Sequence, residues 1–236
     1  MNRFWELDAL RGLAIVLMVF FHFLWDLNFF GFTSFELYSW PIVFFQITSA
    51  GIFLILVGVS LTISYNRSKN NYLQRFVKRA MLIFGAGLLI TAFTTIFFPN
   101  AIIFFGILHL IGTSILLSVF FVNKKKLSFV AGIFIIALDL VFKVSAMNIN
   151  ELFWVGFGTP ISALDFYPLI PWFGVILIGI FLGNTFYPKG KAIFEIKKPE
   201  IKGINFIQLL GKKSFIIYFL HQPLLFGVLY FVSFII

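Results

Sequence analysis

Seven stretches of about twenty or more apolar residues, parted by short polar segments, constrain this chain more than any other feature. A bilayer core about 30 Å thick takes roughly 20 residues of helix, and inside it every backbone amide must find its partner within the protein. The stretches run approximately from Ala9 to Phe32, Trp40 to Tyr65, Phe76 to Phe98, Ala101 to Val122, Leu127 to Ala146, Pro168 to Tyr187 and Phe206 to Phe234. They predict an all-α, polytopic membrane helix bundle of about seven transmembrane helices. Composition agrees, because 61% of the 236 residues are apolar and only 11% charged, where soluble domains carry about 25%. The first stretch carries Asp8 and Arg11 and lacks a small-residue cleavage pattern, so it is expected to stay attached as a helix rather than serve as a leader. With no repeat and no low-complexity segment, a single membrane domain over 1–236 is the simplest organisation.

The formal charge of +9 would suit nucleic acid only if it formed a solvent-facing stripe. It does not. Arg3 and Arg11 precede or open the first stretch, and Arg67, Lys69, Arg75, Lys78 and Arg79 follow the second. Lys124 to Lys126 follow the fourth, and Lys189, Lys191, Lys197, Lys198, Lys202, Lys212 and Lys213 follow the sixth. These regions fall on one side of an alternating topology and hold all but Lys143 of the 18 Lys and Arg residues. Cytoplasmic loops collect such residues. The N terminus is therefore expected in the cytoplasm and the C terminus outside, with Glu36, Glu151 and Asp165 on the outer face, in a multi-pass protein of the cytoplasmic (plasma) membrane. The basic charge then reflects topology and anionic lipid headgroups, with no nucleic-acid partner. The loop of about Met147 to Tyr167, with Trp154, Gly156, Gly158 and Pro160, is expected to lie on or dip into the outer surface.

Ionisable groups inside apolar spans are costly and usually face a cavity or a partner. All three histidines fall inside spans. At about 1.5 Å per residue, His22 lies roughly 16 Å above Arg11, His221 roughly 12 Å above Lys213, and His109 roughly 18 Å above the cytoplasmic side. Their depths nearly coincide, so a shared chamber is one expectation; the alternative is that each ring pins a neighbouring helix. Asp26 sits four residues beyond His22 on the same helical face, where its carboxylate would orient the imidazole as a general base. His221 shares a face with Tyr218 and Ser214, and Pro223 just beyond loosens the backbone bonding. Asp139 and Lys143, four apart, read as an ion pair that eases insertion. Gly179 and Gly183 read as packing positions. Arg75, Lys78 and Arg79 at the entry to the third span, with Arg11 at the base of the first, suit phosphate groups or lipid headgroups. No cysteine is present, which excludes a cysteine acyl-enzyme and thiolate metal sites; no metal is expected.

DALRGLAIVLMVFFHFLWDL, from Asp8 to Leu27, resembles the first helix of the transmembrane acyltransferases. Arg11 and His22 show the Arg, ten residues, His spacing of the acyltransferase 3 group. FGILHLIGTSILL from Phe105, PLIPWFGVILIGIFLG from Pro168 and GKKSFIIYFLHQPLL from Gly211 are similar to bacterial and archaeal members of the heparan-alpha-glucosaminide N-acetyltransferase catalytic-domain family. The motifs are spread over nearly the whole chain.

The resemblance implies an acyl-CoA-dependent enzyme. It would take an acetyl group from cytoplasmic acetyl-CoA and deliver it to a hydroxyl or amine, commonly of a sugar or glycoconjugate. Arg11, Arg75, Lys78 and Arg79 would hold the CoA phosphates. His22, with Asp26, would deprotonate the acceptor, in direct transfer or through an acyl-imidazole. In the lysosomal members the position matching His22 is asparagine and the essential histidine lies in the segment leading to the next helix. Here Phe23 to Leu108 contains no histidine, which leaves His22, His221 or His109 as the base. The chain lacks the additional helices of larger relatives, so acceptor specificity would come from the outer loops or from self-association as a homo-oligomer. The competing reading is a small-solute transporter or flippase using midmembrane His and Asp groups.

Overall fold

The computed structural model describes residues 3–37, 39–100, 102–142, 147, 149–158 and 165–235. Its elements are helices: α1 (Trp5–Phe29), α2 (Trp40–Arg67), α3 (Tyr72–Phe97), α4 (Ile107–Leu117), α5 (Lys125–Phe142), α6 (Leu169–Phe186), α7 (Ile204–Lys212) and α8 (Ser214–Ser233). Among the described residues there is no strand. Among the described residues five helices, α1, α2, α3, α6 and α8, are long and apolar enough to cross a bilayer. Their outer surfaces carry exposed Leu, Phe and Ile in quantities that only a lipid solvent accommodates.

The difference from seven uniform spans has local causes. The fourth predicted span starts six residues late, at Ile107, because 102–106 is held out of the helix by threonines of α3. Thr91 Oγ1 donates to the Ile103 carbonyl at 2.6 Å, and the Ile103 N–H donates to Thr94 Oγ1 at 3.2 Å. Non-helical backbone is tolerated at membrane depth when its polar groups are satisfied in this way. The Ile107 N–H, an orphan of the α4 first turn, donates to Asp165 Oδ2 at 3.2 Å. A 3-10 turn at Ser118–Phe120 completes α4. The fifth span becomes the 18-residue α5, which carries Lys125, Lys126 and Asp139. Its expected end at Ala146, the Lys143 half of the expected ion pair, the Ala101 start of the fourth span and Pro160 of the outer loop lie outside the described residues.

The seventh predicted span is two helices. Lys213, at φ −101° and ψ 13°, parts α7 from α8. Hydropathy could not show the break, since apolar residues continue on both sides of the Gly211–Lys212–Lys213 step. Pro223 sits inside α8 without ending it. At the other end of the chain, Gly31, at φ +75°, stops α1 in the left-handed conformation that glycine tolerates.

The chain divides into two compact units, residues 1–53 with 195–236, and residues 54–194. In the first, α7 packs on α1 through two glycines: a Cβ on Gly12 would strike the Ile207 carbonyl, and one on Gly211 the Asp8 carbonyl. Ser49 of α2 donates to the Ala14 carbonyl at 2.9 Å. Trp5 Nε1 donates to the Ile196 carbonyl at 2.8 Å, tying the segment before α7 to the start of α1. Phe226 of α8 lies against Phe30, with ring centroids 4.8 Å apart. In the second unit Gly58 and Gly179 allow α2 and α6 to touch backbone to backbone, and Gly183 receives Thr62. The packing expectation for Gly179 and Gly183 therefore holds. Gly132 of α5 and Gly174 of α6 approach so closely that a Cβ on either would meet the other's carbonyl oxygen, at 3.0 and 2.7 Å. Small-residue contacts of this kind hold membrane helices together where no hydrophobic driving force exists between them. The loop before α6 folds back on that helix: the Leu169 and Ile170 N–H groups donate to the Trp154 and Val155 carbonyls at 3.0 and 2.8 Å.

Candidate active site

The polar centre of the first unit lies where α1 and α8 run side by side. His22 of α1 faces His221 of α8, with ring centroids 4.8 Å apart and planes at 60°. Sequence alone could not make these spans neighbours; the structure does. One helical turn beyond His22, Asp26 is wholly buried, and its Oδ1 accepts a 2.8 Å hydrogen bond from Gln222 Nε2. Asp26 therefore pairs across the helices with Gln222, and the expected Asp26–His22 hydrogen bond is corrected: among the described residues no group hydrogen-bonds the His22 ring, which instead lies edge-on to Phe21 at 5.4 Å. Gln222 is the residue that sequence reasoning missed. Its signal was its place immediately after His221, one step along α8.

The hydrogen-bond inventory fixes what the centre can do. His221 Nδ1 lies 2.6 Å from the Tyr218 carbonyl, which can only accept. Nδ1 therefore carries a proton, and in the neutral ring the lone pair is on Nε2. That Nε2 is buried with no partner, as are Asp26 Oδ2 and Gln222 Oε1. A buried polar atom left without a partner costs about 1–3 kcal/mol. Imidazole nitrogen and amide oxygen are both acceptors here, and an ionised carboxylate adds a third; what such a group lacks is a donor, a hydroxyl or an amine.

Near the N-terminal end of α1, Arg11 Nη1 pairs with Asp8 Oδ1 at 3.0 Å. Gly211, seated on the Asp8 carbonyl, sets the exposed Lys212 and Lys213 at that same end of α1. Arg11 thus has basic company from the last residue of α7 and the one after it, which its sequence position did not suggest.

The remaining expected site residues belong to the second unit. His109 is buried and both of its ring nitrogens are engaged. Nδ1 accepts from the Gly106 N–H at 3.2 Å, and Nε2 lies 3.4 Å from Thr91 Oγ1. Phe84 and Phe105 cover the ring, and Gly87 leaves room for it. This is a ring that pins α4 to α3. Arg75 is drawn back onto the end of α2, where its Nη2 donates to the Ser64 and Ser68 carbonyls at 3.1 and 2.5 Å. It closes the connection between α2 and α3, and Lys78 and Arg79 are the exposed basic residues of that entry turn.

The first helix thus carries Arg11 near its N-terminal end and, about 16 Å further along, His22 facing a second imidazole. The model of the family described as heparan-alpha-glucosaminide N-acetyltransferase, catalytic, matches residues 3–223 of this chain. The chain belongs to that family, and so to a family of membrane acetyltransferases. No curated protein and no solved structure matches it significantly.

Proposed function

We propose that the protein is an acyl-CoA-dependent acyltransferase. It moves an acetyl group from cytoplasmic acetyl-CoA to a hydroxyl or amine of a sugar or glycoconjugate, at or beyond the outer face of the plasma membrane, with its N terminus in the cytoplasm. The observation that carries the reading is the open, buried lone pair of His221 Nε2 beside His22, set in a helix pair whose inner end is basic.

Acetyl-CoA brings an activated thioester and a phosphate-rich handle. Arg11, with Lys212 and Lys213, meets anionic groups at the inner rim of the first unit. Lys78 and Arg79 offer the same chemistry at the entry to α3, and Arg75, already bonded to two carbonyls, serves there by fixing the turn. His221 Nε2 takes the proton from the acceptor hydroxyl or amine. The acceptor's lone pair forms the new C–O or C–N bond as the thioester C–S bond breaks, and the imidazolium returns the proton to the departing thiolate. The Tyr218 carbonyl holds the tautomer that makes this possible. His22 flanks the base. Asp26 and Gln222 orient the acceptor through their open acceptor atoms. Direct transfer is favoured, because the chain has no cysteine to carry an acyl-enzyme.

Sealed vesicles of known orientation test the proposal. Radiolabelled acetyl-CoA supplied to the face bearing the basic loops should release CoA and acetylate an acceptor enclosed on the opposite side. Release of equal amounts from the other face, or no release from either, would overturn it.

A further inference from the structure

Asp8 stands in the first turn of α1, one turn before Arg11. Its backbone is fixed by direct contact with α7: Gly211 sits on the Asp8 carbonyl, and the Ile207 carbonyl meets Gly12 one turn further on. The Asp8 side chain is 6% exposed and that of Arg11 21%, so the acid is covered while the guanidinium still reaches the surface. Asp8 Oδ1 accepts from Arg11 Nη1 at 3.0 Å, and Oδ2 is buried with no partner.

Stability does not account for this pair. An ion pair three residues apart on a helix adds little, and a buried one is often no better than apolar residues of the same size. The open Oδ2 adds the cost of a polar atom removed from water. What the pair does supply is order. An arginine side chain has several rotatable bonds, and an anion that binds it must freeze them unless another group has already done so.

We infer that Asp8 is a positioning residue for the donor: it holds the Arg11 guanidinium ready for the phosphate groups of acetyl-CoA, and acts on the donor only through Arg11. This rests on the acyl-transfer reading and deepens its donor site. Charge gives the inference a sign that separates it from a mere counter-ion. A carboxylate beside Arg11, Lys212 and Lys213 weakens the attraction of that end of α1 for an anion, so removal of a simple counter-ion would tighten donor binding. Removal of a positioning residue loosens it.

The test titrates the full chain in detergent micelles with acetyl-CoA, no acceptor being present. Asp8→Ala should raise the Kd about fivefold, within the roughly two- to tenfold that ordering one long side chain is worth. Asp8→Asn, which keeps an oxygen in the place of Oδ1, should stay within about twofold of the wild type. In an Arg11→Ala background Asp8→Ala should change nothing further, which a general loss of packing would not reproduce. Should Asp8→Ala fail to fold, Asp8→Ser, too short to reach Nη1, takes its place. A Kd that Asp8→Ala leaves unchanged or lowers would overturn the inference. So would an Asp8→Asn chain that binds no better than Asp8→Ala, or an equal effect of Asp8→Ala with and without Arg11. A wild type that does not bind acetyl-CoA at all contradicts the acyl-transfer reading itself.

Discussion

His109 and His221 carry the same ring in different surroundings. His109 has a partner for each nitrogen and aromatic cover, so Thr91 is part of its function: the hydroxyl both meets the imidazole and donates to the Ile103 carbonyl. Thr91→Val strands the buried His109 Nε2 and the half-buried Ile103 carbonyl, and a cost of about 1–3 kcal/mol follows. A thermal melt in detergent should show the variant less stable, while turnover per folded molecule is kept. An unchanged melt with lost turnover would instead assign His109 to catalysis. His221 differs in having one nitrogen fixed by a carbonyl and the other left open. The sequence showed three candidate rings; it could not show which nitrogens were already taken, because those partners are backbone groups and residues on other elements. For the same reason Gln222 escaped notice as the mate of Asp26, 196 positions away.

At the scale of elements, periodicity and hydropathy were sufficient for α1, α2, α3 and α6, whose bounds fall within a few residues of the apolar stretches. They failed where polar groups override hydropathy. Threonine hydroxyls hold the start of the fourth stretch extended, and the step at Lys213 breaks the last stretch in two. The α7 helix exists as a separate element because Gly211 and Gly12 let it sit directly on α1. Gly211→Val would drive a side chain into the Asp8 carbonyl, at a cost of roughly 1–3 kcal/mol or more for overpacking. Gly227 of α8 has nothing within 4 Å of its would-be Cβ, and there Gly→Ala should be neutral or gain up to about 1 kcal/mol of helix propensity. Melting temperatures of the two variants should move in opposite senses, or Gly211 alone should lower it. Equal tolerance at both positions would contradict the glycine contact.

For the whole molecule, the distribution of basic residues and the motif spacing made the membrane class and the family legible before any coordinates, because both are written in positions along the chain. Which imidazole acts was not, since that depends on contacts between distant segments. The charge map supports a cytoplasmic donor side, the family match supports acetyl transfer, and the α1–α8 pair offers an uncommitted base. A positioned general base contributes typically about 10²–10⁴-fold to rate. The decisive measurement is radiolabelled acetyl transfer by purified, folded His221→Ala and His109→Phe variants beside the wild type. His221→Ala should lose at least about 100-fold in transfer while His109→Phe, once folded, transfers at a rate near wild type; undiminished transfer by His221→Ala would rule out His221 as the base.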